Sequence, residues 1–321
     1  MYISMKSIFF GPSELSGIGQ VTRTLSRLVH GDYLEFGQPL DERYPVGFCF
    51  VIPIPDLIKL IKERYAVHCD RMVYMTVCET ETVHEYYQGL FELSDTIWTP
   101  SDFASRILKR QFPQGTFPVL RHYASPCVHG YTKMNQLESL EDSYVFYHIG
   151  NVIDPRKNIK AVIETFLRLD LPKSVLLLKA TCNRPVHWRI PGIVVVEGLL
   201  SKEELEYIHH IGDCYVSFSH SEGAGMGAIE AAMRNKQVII PEYGAGVEYI
   251  DTPYVIPCKE KRVGVDDFLF KKDMIWGDPD RSHLEKFMRD AYTNKRPGKS
   301  QKTHDIMARV PLELLEIMSD H

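Results

Sequence analysis

The sequence has no hydrophobic run long enough to cross a bilayer. Across its 321 residues the apolar stretches, such as Val175–Leu178, have the length of a strand, whereas a spanning helix needs about 20 apolar residues. It has no CxxC pair. Its seven cysteines (Cys49, Cys69, Cys78, Cys127, Cys182, Cys214 and Cys258) are scattered and odd in number. That argues against a disulfide framework or a zinc site and fits reduced thiols, most of them small core residues. It has no excess of positive charge: 37 Lys and Arg against 42 Asp and Glu leave −5. Nonspecific binding of nucleic acid over the whole surface is therefore not expected. The basic clusters Arg106–Arg110 and Lys295–Lys299 read as solvated surface. There is no internal repeat, no low-complexity segment and no signal-peptide pattern, since the first residues run straight into a strand. The expectation is a cytoplasmic protein, with peripheral contact at a membrane surface left open and the oligomeric state not legible. What is present is 44% hydrophobic residues. That is enough for a real core and too little for a membrane protein, in a length that suits two domains.

The most informative stretch is Ser217–Pro241. Asp213–Phe218 reads as a short buried strand, Ser219–Gly227 as a polar, glycine-rich turn, Ala228–Arg234 as a helix and Val238–Ile240 as a second strand. This is the strand–loop–helix–strand unit of a parallel sheet, in which ligands bind at the carboxyl ends of strands. Gly225, Met226 and Gly227 leave backbone N–H groups unshielded near the helix start, where the helix dipole attracts phosphate. Two carboxylates flank them, Glu222 in the loop and Glu230 about one turn into the helix. An anion cradle with a carboxylate on each side suits a ligand carrying both phosphate and hydroxyls, such as a nucleotide sugar.

Glu222-x7-Glu230, set in Ser219-His-Ser-Glu-Gly-Ala-Gly225-Met-Gly-Ala-Ile-Glu-Ala-Ala232, resembles the signature of retaining glycosyltransferases of the family 4 type (glycosyl transferases group 1). The resemblance implies an α/β GT-B fold: two Rossmann-like domains with parallel sheets facing a central cleft. It places Glu222 by the donor sugar and Glu230 on the ribose hydroxyls. It implies residues 1–130 as an acceptor-binding domain, onto which a terminal helix near 303–320 packs back, and residues 131–302 as the domain for the nucleoside-diphosphate sugar. The match is strong from Ser143 to Ile250 and patchy before that.

Other stretches agree. Ser7–Phe10 reads as a strand and Val21–Val29 as a helix; between them Gly17, Ile18 and Gly19 form a glycine turn able to approach a phosphate or sugar. Thr22 stands where the third glycine of a dinucleotide fingerprint would be. Val46–Ile54 and Asp70–Cys78 read as strands, with Asp56 capping a helix through Tyr65. Glu79-Thr-Glu81 resembles a loop in a polysaccharide-building subgroup and makes Glu79, Glu81 and His84 candidates for acceptor contact or proton transfer. Ser125–Asp142 is the linker candidate.

Ser143–Ile149 restarts with a strand and runs into Asp154-Pro-Arg156-Lys157, where Asp154 can cap and Pro155 can start the following helix. Arg156 and Lys157 are candidates for the diphosphate. In the related pattern an Arg stands where this chain has Asn151. Gly198 and Leu199, ahead of a capping box formed by Ser201 and Glu204, are placed near the base by resemblance. Asp278-Pro-Asp280 spells a metal-binding tripeptide of the other glycosyltransferase fold but reads here as a helix cap, and no metal ligand is assigned.

The expected activity is hexosyl transfer (EC 2.4) from a UDP- or GDP-sugar to a glycan, glycolipid or other acceptor with retention. Glu222, Glu79 and His84 are the candidate catalytic residues, and no cofactor is required. The alternatives are a noncatalytic nucleotide-sugar-binding partner subunit, and a phosphorylase-like or epimerase enzyme on the same fold.

Overall fold

A computed structural model describes residues 6–13, 15–126, 130–182 and 185–319. The chain divides into two compact units. Unit 1 is Met1–Tyr123 with Arg262–Ile275 and Ile306–His321; unit 2 is Ala124–Lys261 with Trp276–Asp305.

Unit 1 opens with β1 (Ser7–Gly11), α1 (Gly17–Leu28), β2 (Asp32–Glu35), β3 (Tyr44–Phe50), α2 (Pro55–Leu60), β4 (Cys69–Met75) and α3 (Asp102–Gln111). Its sheet runs in the order β2-β1-β3-β4 with every pair parallel. Strands covered on both faces need continuous apolar runs, and β1 is wholly buried. Against the sheet lies α1 with its buried Val21 and Leu25, and Ile107 and Leu108 of α3 are buried too. The structure corrects two boundaries. Regular β3 stops at Phe50, although Val51 N still donates to Met75 O (2.7 Å), because Pro53 and Pro55 offer no N–H to a ladder. Asp56 lies inside the first turn of α2, not at its cap: Pro55 holds the first helical position and Ile54 the cap, with no side-chain bond. The segments around Trp98 and Val119 extend the sheet only through isolated parallel bridges, Met75 to Trp98 and Thr99 to Val119.

Unit 2 contains β5 (Tyr144–Gly150), α4 (Ile159–Leu169), β6 (Ser174–Ala180), β7 (Ile193–Val196), α5 (Lys202–Ile211), β8 (Cys214–Val216), α6 (Met226–Met233), β9 (Gln237–Pro241), α7 (Gly246–Tyr249) and β10 (Val255–Ile256). Its parallel sheet has the order β10-β9-β8-β5-β6-β7. One apolar cluster joins Phe146, Leu176 and Val216 of the sheet to Val162 and Phe166 of α4. Two paired strands, β11 (Cys258–Arg262) and β12 (Ile275–Pro279), lie in a stretch whose charged run Lys259–Arg262 gives no strand signal. The chain closes with α8 (Arg281–Asn294) and α9 (Gln301–Ser319). Asp280 caps α8 by accepting from Ser282 N (2.7 Å), while Asp278 pairs with Lys261 (3.0 Å). Among the described residues no helix is long and apolar enough to cross a membrane.

In each sheet the chain order reverses once, between β1 and β3 in unit 1 and between β5 and β8 in unit 2. Loops leaving the carboxyl ends of strands diverge at such a point and open a crevice. Both candidate sites lie at or beside these points.

The capping box on α5 is complete: Ser201 Oγ accepts from Glu204 N (3.1 Å) and Glu204 Oε2 accepts from Ser201 N (2.7 Å). Ser201→Ala is expected to lower the stability of the chain by about 1 kcal/mol. Urea unfolding checks this, and Ser201→Asp, which keeps the acceptor, is expected to restore most of the loss.

Candidate functional site

The loop after β5 and the loop after β8 are cross-linked at the reversal point of unit 2. Asp154 accepts from Arg156 N (2.9 Å) and tightens Pro155–Lys157 into a 3-10 turn, closed by Asn158 in the left-handed region at φ 52°. That turn aims two cations across β5 toward β8. Lys157 Nζ donates to Glu222 Oε1 (2.6 Å), and Arg156 Nη1 donates to Glu222 Oε2 (3.1 Å) and Ser221 O (2.8 Å). Ser219 Oγ adds a donor to Glu222 Oε1 (2.7 Å). Burial by itself would raise the Glu222 pKa. The charges of Lys157 and Arg156 and the hydrogen bonds from Lys157 and Ser219 outweigh it and hold the carboxyl at about 2.

The glycines of the loop serve different ends. Gly225 caps α6 at φ 88°, a conformation that L side chains rarely adopt, and no described side chain caps that helix. Its first-turn amides, Met226 and Gly227 among them, therefore form an anion-attracting end beside Glu222. Gly227 has no room for a Cβ, which would lie 3.0 Å from the Tyr215 ring and 3.1 Å from Ile149 O. Its smallness seats α6 on the sheet. Glu230, one turn on, has its carboxylate 3.9 Å from His209 Nε2. The Tyr147 hydroxyl meets His209 Nδ1 at 2.9 Å. When Tyr147 donates, the neutral ring carries its proton on Nε2, toward Glu230.

His148 stands one strand turn before this corner. Its Nδ1 meets Val216 O at 2.9 Å. A carbonyl only accepts, so Nδ1 bears the hydrogen and Nε2 is a bare acceptor. Nε2 is buried, has no hydrogen-bond partner among the described residues, and lies 3.0 Å from where a Cβ on Gly150 would sit. Burial and the nearby Lys157 charge lower its pKa to about 4, against smaller opposing effects of the Val216 bond and Glu222. The ring is neutral at pH 7. Gly198 and Leu199 follow β7, two strands from β5. Gly198 is in the left-handed region at φ 88°, and its carbonyl accepts from the buried Lys179 (2.8 Å); Leu199 is exposed.

The remaining candidates belong to unit 1. Gly17, Ile18 and Gly19 are not in a loop before α1 but inside its first turn, because Ser16 caps the helix through Gly19 N (3.0 Å). A Cβ on Gly19 would collide with the backbone of Pro12 and Ser13, so the close approach there is by the chain itself. Ile18, Glu79 and His84 line one cavity of about 160 Å³. His84 also caps the short helix Glu85–Glu92, its Nδ1 accepting from Tyr86 N (3.2 Å). A neutral His84 therefore carries its proton on Nε2 and offers a donor, not a base, from that edge.

Solved structures with this arrangement of elements are numerous. A protein from Anabaena (Alr3699/HepE), solved in complex with UDP and glucose, aligns at TM-score 0.63 and 12% identity, over 99% of this chain and 100% of its own. Sucrose-phosphate synthase from Thermosynechococcus elongatus aligns at 0.65 and 11%, over 98% of each. Trehalose-6-phosphate synthase OtsA aligns at 0.67 and 9%, over 97% of each. The chain has the GT-B fold. No protein-family model matches the sequence, and no curated protein matches it.

The GT-B chain brings Arg156, Lys157, Glu222, Gly225, Met226, Gly227 and Glu230 to one corner of unit 2 and sets Gly198 and Leu199 off along the sheet edge. Sequence reasoning missed Ser219, His148, His209 and Lys179. For two of them a signal was visible: His148 in Tyr144–Gly150 and Lys179 in Ser174–Ala180 are polar residues inside otherwise apolar strands, and such residues need a local reason.

The depressed Glu222 pKa makes a stability prediction. A carboxyl whose folded value lies below its ordinary 4.5 stabilises the fold above that value and loses the contribution as pH falls toward about 2. Glu222→Gln is expected to be less stable than wild type by about 3 kcal/mol at pH 7 and by about 1 kcal/mol at pH 3. Urea unfolding at the two pH values checks it; a gap that does not change with pH would remove the ion pairs as its cause.

Proposed function

We propose that the chain is a glycosyltransferase of the family 4 type, moving a hexosyl group from a nucleoside-diphosphate sugar to an acceptor hydroxyl with retention of configuration. One observation carries this reading: Arg156 and Lys157 converge with Glu222 at the strand-order reversal of unit 2, beside a helix start that no described side chain caps. Cations and bare amides suit a diphosphate, and a carboxylate held ionised suits sugar hydroxyls. Support comes from the bound molecules of the structural neighbours: the Anabaena protein was solved with UDP and glucose and also with UDP-glucose.

On this reading unit 2 takes the donor, a UDP- or GDP-sugar, and unit 1 takes the acceptor. Lys157, Arg156 and the first-turn amides of α6 offset charge on the diphosphate as its bond to the anomeric carbon breaks. Glu222 accepts from the donor sugar and Glu230, steered by His209, from the ribose. Glu79 and His84 act on the acceptor side, His84 as a hydrogen-bond donor. The reading needs no cofactor. The protein is cytoplasmic, and any membrane association is peripheral.

A second reading, a noncatalytic nucleotide-sugar-binding subunit, is favoured by one feature. Asn151 supplies no charge where the family pattern has an Arg; its Oδ1 accepts from Ile153 N (3.3 Å) and Cys182 Sγ (3.2 Å) and shapes the turn instead.

A thermal-shift panel of UDP-, GDP-, ADP- and dTDP-sugars tests donor binding, since a ligand bound only by the native state stabilises it by about 2.7 kcal/mol at 100 times its Kd. One of the first two is expected to give the largest shift, and Lys157→Met to weaken it by roughly tenfold in affinity. No shift with any donor would sink both readings. Donor turnover by the purified protein decides between them. Glu222→Gln is expected to cut it by roughly 100-fold at saturating donor while the chain stays folded.

A further inference from the structure

We propose that the cavity of unit 1 binds an apolar ring of about six atoms bearing one hydroxyl, so that the acceptor is a phenol or an alicyclic alcohol and not a free sugar. This rests on the reading of unit 1 as the acceptor side and goes beyond it by naming the chemical class.

The cavity opens at the carboxyl ends of β3 and β4, next to the reversal between β1 and β3. Its wall is built by Ile18 at the start of α1, Val51–Pro53 after β3, Thr76–Thr80 after β4, and Val83, Tyr87 and Phe270. At about 160 Å³ it matches the size of an apolar cavity that takes up benzene, about 150 Å³. Size alone does not separate an aromatic ring from a pyranose. The hydrogen-bonding state of the wall does.

The hydroxyl and thiol donors in the wall are already engaged by the protein. Thr76 Oγ1 donates to Val51 O (2.9 Å), Thr80 Oγ1 to Thr82 O (2.7 Å), Tyr87 Oη to Val77 O (2.6 Å) and Cys78 Sγ to Ala104 O (3.6 Å). Burial raises the Cys78 thiol well above its ordinary range, so it presents a neutral, weakly polar surface. A sugar seated here would bury several hydroxyls against side chains whose hydroxyl and thiol donors are taken, at about 1–3 kcal/mol for each one left unsatisfied. An apolar ring loses nothing of the kind and gains burial of its surface. His84 lies in the same wall as Glu79 and, when neutral, by the tautomer its cap imposes, carries an imidazole N–H donor at Nε2. One such donor suits one hydroxyl, not a ring of them.

A second feature points the same way. Asp267 and Phe270 exchange backbone hydrogen bonds (Asp267 N to Phe270 O 2.9 Å, Phe270 N to Asp267 O 2.7 Å) and form a tight turn. Its Phe268 lines the cavity at φ 49° and is 62% exposed. A non-glycine residue in the left-handed region is uncommon, and an exposed phenyl on a cavity wall offers a face for an aromatic ring.

The test uses the whole chain without donor. Saturation-transfer NMR with phenol, cyclohexanol, 2-naphthol and glucose is expected to show binding of phenol and cyclohexanol, at most weak binding of 2-naphthol, and none of glucose. Val83→Trp, which fills the cavity, is expected to weaken phenol binding by at least tenfold. Phe268→Ala, an exposed position that the fold tolerates, is expected to weaken it several-fold and decides the matter if Val83→Trp does not fold. Glucose binding without phenol binding, or phenol binding unchanged in both variants, overturns the proposal. The donor reading stands or falls separately, on the response to UDP- and GDP-sugars: rings that fail to bind a chain stabilised by a nucleotide sugar sink the acceptor class alone.

Discussion

The carboxylate of Glu222, held between Lys157 and Arg156, is the interaction on which unit 2 depends. It joins a turn after β5 to a turn after β8, two segments some 65 residues apart in sequence. Three further bonds brace the joint: Arg156 to Asp154 (3.3 Å), His220 N to Arg156 O (2.7 Å) and Ala245 N to Glu222 O (2.9 Å). Gly244 admits the last of these loops because a Cβ there would press on the Glu222 backbone at 2.8 Å. The corner is thus built as one piece. Preorganised polar groups of this kind act on a ligand's charge without first having to reorganise.

The corner stands where it does because of chain order. β5 is the first strand of unit 2 and lies at the centre of its sheet; β6 and β7 extend one way, β8, β9 and β10 the other. The loops after β5 and β8 therefore turn apart, and only there can charged side chains meet over the sheet edge without being buried beneath a helix. Unit 1 repeats the geometry with β1 and β3, but there the first turn of α1 presents Ile18 and the segment after β3 presents Val51, Ile52 and Pro53. The same backbone device yields a charged corner in one unit and a mostly apolar cavity in the other, and the side chains presented at the reversal are one source of the difference.

Much of this was legible in the sequence. Apolar runs such as Ser174–Ala180 are strands because both faces of a parallel sheet are covered, and the α5 capping box declares itself in four residues. Glu222 and Glu230 stood out through the whole string Ser219–Ala232, not through their spacing alone. The pairing of Glu222 with Arg156 and Lys157 was not legible, since it joins residues from two loops whose adjacency only the strand order creates. The separate causes of the glycines were not legible either. Gly225 serves conformation, whereas Gly227 and Gly19 are small because a tyrosine ring or the chain's own backbone lies against them. Local sequence cannot separate these causes. The strands β11 and β12 escaped notice because their pairing, not their charged composition, makes them strands.

Charge counting at the corner adds a last step. Arg156 and Lys157 contribute two formal positive charges; Asp154, Glu222 and Glu230 return three negative ones. With no net positive charge, the corner does not draw in a diphosphate by long-range attraction, and a bound diphosphate must share the two cations with Glu222. What it gains in addition is directional: the amides at the start of α6, aligned with the helix dipole and left uncapped by any described side chain. On the proposed reading, phosphate oxygens take up part of the cations' bonding and Glu222 is freed to accept from hydroxyls of the same ligand. A ligand with phosphate alone would satisfy the cations and leave a buried carboxylate short of donors, and one with hydroxyls alone would leave the amides bare. On that reading the corner is best satisfied by a molecule that carries both, a sugar joined to a diphosphate rather than either part.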